Sequence, residues 1–188
     1  MRPQKVEDKQ VLDGIIKVFR SKGYEGASLA ELADTIGLKK ASLYHRFPGG
    51  KQEMAEVVLA YAGEWVKEYI ISVLNDRTED PTKRLKISLK NISVFYDNGE
   101  TGCLFRALSM DNSIHLFVER LQVGMNRWID AFTNLGLDMD FTEEQARSMA
   151  TDVLISIQGS LIVSKTMDST QPFQDTIKKI ESMYVKEG

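Results

Sequence analysis

Apolar side chains recur along this chain three and four positions apart, the spacing that gathers them on one face of an α-helix. Leu12, Ile15, Ile16 and Phe19 open the pattern and predict a first helix over residues 6–22, closed by Gly23. Leu29, Leu32, Ala33 and Ile36 repeat it directly afterwards. That second helix starts at Ser28, whose spacing to Glu31 is a capping box that satisfies otherwise orphaned N–H groups. Gly37 stands where a helix ends in a left-handed residue, and Leu38 bridges to a third, short helix. Leu43 and Phe47 anchor the third, and Pro48 stops it by disfavouring helical geometry at the preceding residue. Met54, Val57, Val58, Tyr61, Trp65 and Tyr69 then mark a longer helix reaching Leu74.

The same period governs the rest. Residues 75–80 form a charged loop, and Asp80-Pro81 supplies an N-cap followed by proline in the first helical position. Leu85, Leu89, Ile92 and Tyr96 carry that helix to a stop at Asp97-Asn98-Gly99. A short segment runs from Gly102 to Met110, and a longer helix carries Leu121, Met125, Trp128, Phe132 and Leu135 to an expected end at Gly136. Thr142 and Gln145 form a second capping box, opening a helix to Met167; Thr170-Gln171-Pro172 starts the last. No segment shows the alternation of a strand, so the expected fold class is all-α, with 188 residues enough for a substantial core in one or two domains.

Two short helices joined by a tight glycine turn read as helix-turn-helix. Charge sharpens that reading. No acidic residue stands between Asp34 and Glu53, whereas Lys39, Lys40, His45, Arg46 and Lys51 do. Lysines at a helix N-terminus oppose its dipole, at about 0.3–1 kcal/mol each when exposed. A choice that works against local stability invites an anionic partner, and phosphate is the obvious one. With Leu43 and Phe47 inward, Lys40, Ala41, Ser42, Tyr44 and His45 are left to face a groove.

In the stretches VFRSKGYEGASLAELADTIGL and KKASLYHRFPGGK the chain resembles the tetracycline-repressor (TetR) family of bacterial transcription regulators. The resemblance covers roughly residues 11–61. It implies an N-terminal three-helix DNA-binding domain over residues 1–51 and a helical effector-binding and dimerisation domain over residues 52–188. By that likeness Tyr44 and Lys51 hold phosphates, Ser28 caps its helix and touches the backbone, and Lys40, Ser42 and His45 face bases. One departure stands out: Lys39 occupies the position where the family often caps its recognition helix with Ser or Thr. The paired glycines of FPGGK and the Gly102-Cys103-Leu104-Phe105 run resemble the branch of lincomycin- and flavonoid-responsive repressors.

The net charge of −3 conceals an asymmetry: residues 1–60 carry 10 Lys/Arg against 8 Asp/Glu, and the remainder 14 against 19. A mildly basic head on an acidic body suits DNA binding at one end. Arg2 and Lys5 lie in a polar start, read as a solvated arm, with no leader-like apolar run behind it. Cys103 stands alone, which rules out an intrachain disulfide and fits a reducing cytoplasm. The longest uncharged apolar stretch, residues 153–164, is too short for a membrane span.

The body collects aromatic and methionine side chains, which suit an apolar pocket with a few polar tips. Candidates for lining it are Trp65, Phe95, Phe105, Met110, Met125 and Trp128, with Asn91, Cys103, His115 and Gln158 as polar contacts. The resemblance makes such a pocket an effector site for a small apolar or aromatic molecule. In the last two helices Met149, Val153, Ile157, Phe173, Ile177, Ile180 and Tyr184 form apolar faces, while Ser156, Gly159, Ser160 and Ser164 allow close helix approach. These faces fit burial within their own domain or a four-helix contact between two copies. The resemblance implies the homodimer, reading a palindromic double-stranded operator.

Catalysis needs a convergent acid, base and nucleophile. The chain has two histidines, His45 and His115, no nucleophile elbow, no phosphate loop and no metal-ligand spacing; neither enzyme activity nor a cofactor is expected. Asp138, Asp140, Glu143 and Glu144 read as a solvated helix entrance, where carboxylates are favoured. A helix-turn-helix activator, a protein–protein adaptor without an effector, or an enzyme without a recognisable motif are the alternatives to a ligand-released repressor.

Overall fold

A computed structural model describes residues 8–110 and 114–185 of the chain. The polar arm with Arg2 and Lys5, and the start of the first expected helix, lie outside the described residues. Every regular element described is helical. They are α1 (Asp8–Gly26), α2 (Leu29–Thr35), α3 (Lys40–Arg46), α4 (Gly50–Val66), α5 (Pro81–Phe95), α6 (Leu104–Ser109), α7 (Ile114–Leu137), α8 (Glu143–Thr166) and α9 (Gln171–Tyr184). No helix among the described residues is long and apolar enough to cross a membrane.

The chain divides into two compact units, one drawn from Met1–Gly63 with Cys103–Leu121, the other from Glu64–Gly102 with Gln122–Gly188. The first therefore extends past Lys51, where the sequence suggested a division, and takes in α6 and the beginning of α7. Its core holds Val11, Ile15, Val18 and Phe19 of α1, with Leu12 and Ile16 only half-buried, so α1 is turned slightly from the face its spacing suggested. Gly23 (φ 72°) breaks α1 near its end. Gly14 has a packing role: a Cβ there would lie 2.3 Å from Ile36 Cγ2, so α1 and the end of α2 meet at a distance only glycine allows. The turn after α2 follows expectation, with Gly37 at φ 67°.

The second unit begins where α4 changes character. Lys67–Ile71 forms a π-helical turn, followed by a last α turn at Ser72–Leu74. Side chains close the carbonyls of this segment. The Ser72 hydroxyl donates to Lys67 O at 2.8 Å, Asn91 Nδ2 to Tyr69 O at 2.7 Å and Asn75 Nδ2 to Ile71 O at 3.0 Å. Arg84, 2% exposed, donates to Leu74 O at 2.8 Å and pairs with Asp138 at 2.9 Å. The Leu74 carbonyl is buried and would cost stability without such a donor, which accounts for an arginine on the inner side of α5.

α8 packs against α9, and α9 against α5. The capping box at Thr142 and Gln145 forms, as does the Asp80 cap on α5. Gly136 does not end its helix. α7 continues to Leu137, and a Cβ at residue 136 would stand 2.8 Å from that of Ala146. The glycine is there to let α7 and α8 touch; the left-handed residue beyond the helix is Asp140, at φ 61°.

Candidate nucleic-acid interface

What α3 offers to a partner depends on what fastens it. Leu43 and Phe47 are buried, and Lys39, Lys40, Ala41, Ser42, Tyr44 and His45 are all exposed, Tyr44 at 48%. Lys39 makes no side-chain cap to α3, so no side chain competes with an incoming group for the N–H groups of the first turn. Arg46 departs from the rest. It is half-buried and donates to the Asp8 carboxylate at 2.6 Å, tying the end of α3 to the start of α1. The sequence reading counted Arg46 among the basic residues that invite phosphate; here its guanidinium is engaged by Asp8.

Ser28 accepts the Glu31 backbone N–H at 3.1 Å, and the Glu31 carboxylate accepts the Ser28 N–H at 3.3 Å and its hydroxyl at 3.1 Å. These bonds, the backbone one first, hold the Glu31 carboxyl below the usual carboxylate range. Lys51, half-buried in the first turn of α4, rests 4.5 Å from the centre of the Tyr24 ring and donates to Glu25 O at 3.5 Å. Glu53 accepts the Gly49 N–H at 2.6 Å, closing the loop between α3 and α4. The sequence reading missed Asp8, Tyr24 and Glu53. Tyr24 carried a signal as an aromatic in the turn before a capping box; the partners of Asp8 lie too far along the chain for spacing to show.

The pocket candidates fall into two sets. Cys103, Phe105, Met110 and His115 belong to the first unit, where Cys103 is buried and Met110 and His115 are exposed. Trp65, Asn91, Phe95, Met125, Trp128 and Gln158 belong to the second. There Trp65 stacks on Phe95 at 5.0 Å and leans on Tyr69 at 4.9 Å, and Phe95 meets Tyr96 edge-on at 5.0 Å. Gln158 Nε2 donates to the Tyr96 hydroxyl at 3.4 Å. Asn91 Nδ2 is engaged by Tyr69 O. Trp128 stacks on Phe132 at 6.3 Å as part of the core. A surface depression of about 770 Å³ lies along Thr142, Glu143, Glu144, Arg147, Ser148 and Thr151, and includes none of these candidates.

The candidate dimer face is largely an internal one. Val153, Ile157, Ser160, Ser164, Phe173, Ile180 and Tyr184 are buried inside the second unit; Met149, Ser156 and Ile177 are half-buried. Ser164 serves an approach between α8 and α9 of one chain, its Oγ accepting the Phe173 N–H at 3.1 Å. Burial also pushes the Tyr184 phenol up, keeping it neutral. Gly159 alone of that set is exposed, with open space where a Cβ would stand. Beside it the opposite face of α8 leaves Ile155 (63%), Ile162 and Val163 in solvent. No group of three or more His, Cys, Asp or Glu side chains able to hold a metal occurs among the described residues.

Comparison with known proteins matches both parts of this architecture. Residues 11–58 match the profile of bacterial regulatory proteins of the tetR family, and residues 86–179 that of the LmrA/YxaF-like transcriptional regulator C-terminal domain. The HTH-type transcriptional regulator YxaF of Bacillus subtilis (strain 168) is 26% identical over 186 residues, covering 96% of each chain. The regulatory protein TetR from Rhodobacter sphaeroides shares the fold at a TM-score of 0.80, with 15% identity over 96% of this chain and 100% of that one. The TetR family regulator CifR, solved as a cysteine mutant on a 26-base-pair operator duplex, superposes at 0.72 with 22% identity, covering 96% and 98%.

Proposed function

Since the chain belongs to the TetR family of bacterial regulatory proteins, in the group with an LmrA/YxaF-like C-terminal domain, it is a DNA-binding transcriptional regulator, and we propose that it acts as a homodimeric repressor released from a palindromic operator by a small apolar or aromatic molecule. The observation that carries this reading is the exposed, acid-free face of α3. Lys39, Lys40, Ser42, Tyr44 and His45 stand outward beside a buried Leu43, a helix fastened from within and left open to a groove. Lys40, Ser42 and His45 are assigned to base edges, and Tyr44 and Lys51 to phosphates. Ser28 keeps its capping bonds and approaches the backbone. The preference for repression over activation rests on the family alone.

Two further features support the assembly and the ligand. On α8 the exposed Ile155, Gly159, Ile162 and Val163 offer an apolar strip with a smooth centre, which suits an isologous contact between two copies. In the second unit Trp65, Tyr69, Phe95 and Tyr96 form a continuous set of rings, with Gln158 at one edge, which suits an aromatic ligand. Release requires that the ligand bind the DNA-incompetent state more tightly, since equal affinity shifts nothing.

Selection of bound sequences from random DNA tests the reading directly. Inverted half-sites are expected, their centres about 34–36 Å apart or a multiple of it. A single asymmetric half-site, or no enrichment, overturns the palindromic homodimer. For the ligand, calorimetric titration of aromatic compounds with and without the selected operator should show affinities differing about 5–150-fold, the same factor by which ligand weakens DNA binding. Tight binders indifferent to operator would remove the release mechanism.

A further inference from the structure

Lys51 is the one residue assigned to phosphate whose side chain rests against an aromatic ring, and that ring is held in turn by two others. The ammonium lies 4.5 Å above the centre of Tyr24. Phe19 of α1 lies nearly parallel to Tyr24 at 6.0 Å, and Phe117 of α7 meets it edge-on at 5.2 Å. All four residues belong to the first unit. Resting on the reading above that Lys51 holds a phosphate, we propose that Tyr24 is a positioning residue for DNA binding: its ring, held by Phe19 and Phe117, seats the Lys51 ammonium ready for phosphate.

A free lysine stem samples many rotamers and loses them when it grips an anion; one already seated loses fewer. The nature of the seat matters as much. A ring face and a carbonyl oxygen attract a cation without cancelling its charge, unlike a carboxylate. Among the described residues no carboxylate pairs with Lys51, whereas Arg46 is engaged by Asp8 and Lys22 lies 3.9 Å from Glu31. Lys51 is thus held in place without a counter-ion among the described residues. Tyr24 stays a neutral phenol, its acidity weakened by burial and then by Glu25 and Glu56. Glu56 is itself held by Arg120, which stands about one turn beyond Phe117 on α7, at 3.7 Å. One short stretch of α7 therefore braces both the ring and its acidic neighbour.

The test uses the full chain and the operator duplex recovered by selection, with affinity measured across a salt series. Lys51→Ala should weaken binding and flatten the dependence of log affinity on log salt by about one unit. Tyr24→Leu should weaken binding by about three- to tenfold, Tyr24→Phe should stay near wild type because the ring remains, and Phe117→Leu should resemble Tyr24→Leu more weakly. The decisive variant is Tyr24→Leu with Lys51→Ala, which should match Lys51→Ala alone. An equal loss from Tyr24→Leu with and without Lys51, or no loss from it in a folded protein, overturns the proposal. No effect of Lys51→Ala by itself instead overturns the phosphate assignment. The wild-type chain supplies a readout independent of any variant's folding: the ring current should move the Lys51 ε-protons upfield in its NMR spectrum, and ordinary shifts there would sink the seat.

Discussion

The face of α3 and the interior of the second unit treat polar side chains in opposite ways. In the first, Lys39, Lys40, Ser42 and His45 stand outside, beside buried Leu43 and Phe47. In the second, Arg84, Asn91 and Ser164 turn inward and close backbone groups at Leu74, Tyr69 and Phe173. A surface that must meet a partner needs donors left open, whereas an interior that must hold helix ends together needs them engaged. Open polar groups therefore set the α3 face apart from the engaged ones that fasten both units, Arg46 to Asp8 and Glu53 to Gly49 in the first among them.

Adjacent residues on α8 give the strongest way to break this contrast. Ser160→Arg places a charge in a packed interior, where it costs several kcal/mol, and should lower the melting temperature by about 10 °C or more. Gly159→Arg points into open space and should leave the melting temperature close to wild type, while sedimentation shows a monomer and operator affinity collapses. A stable dimer in Gly159→Arg would place the contact elsewhere. Next in size is Arg84→Met, which strips Leu74 O of its donor and leaves Asp138 to Arg77 alone, and should cost about 1–3 kcal/mol in denaturant unfolding. On the DNA side, Lys40→Ala and His45→Ala should change preference at particular base pairs, by about 1–3 kcal/mol each, without loss of stability. Uniform weakening across sequences would reassign them to phosphates.

Two serines of the second unit refine the rule. Ser164→Ala removes one of the two acceptors of the Phe173 N–H, which keeps Thr170 O at 3.1 Å, and should destabilise by about 0.5–1 kcal/mol. The buried Ser88 hydroxyl has no hydrogen-bond partner among the described residues, so Ser88→Ala should be neutral or stabilising by up to about 1 kcal/mol. The smallest expected effect lies in pH. The Glu31 carboxyl is held below its unfolded value by Ser28, so its contribution is present above the ordinary glutamate range and fades as pH falls through the lowered value. Ser28→Ala keeps the backbone N–H and should reduce that acid dependence by the hydroxyl's share only, read from melting temperatures between neutral and acidic pH.

Legibility divides along the same line. Both capping boxes, the Asp80 cap and the Gly37 turn were readable because each joins residues three or four apart. The outward set on α3 was readable because two apolar anchors fix the rotation of a seven-residue helix. Periodicity gives a helix its apolar face without saying which neighbour covers it. That is why Val153, Ile157, Ser160 and Ser164 fitted a second copy as well as their own domain, and are buried within one chain. Gly136 misled for a related reason, since a close approach to Ala146 leaves no local trace. Arg46 and Asp8, and Lys51 and Tyr24, meet through folding of distant segments, which no spacing rule reports.

The π-helical turn at Lys67–Ile71 sets the phase of everything around it. Val66, Ile70 and Leu74 are buried in steps of four, longer than the 3.6 residues of an α turn. In an unbroken α-helix each such step would drift by about 40° round the axis; the wider turn absorbs the drift. Its extra residue acts as an angular spacer. Deleting one residue from this turn would let ordinary α geometry run through, yet rotate the helix on its N-terminal side against the turn on its C-terminal side by about 100°. Trp65 could then no longer stack on Phe95 while Leu74 O kept its bond to Arg84. A shorter, more regular helix would be a worse one, because in this segment regularity and register are incompatible.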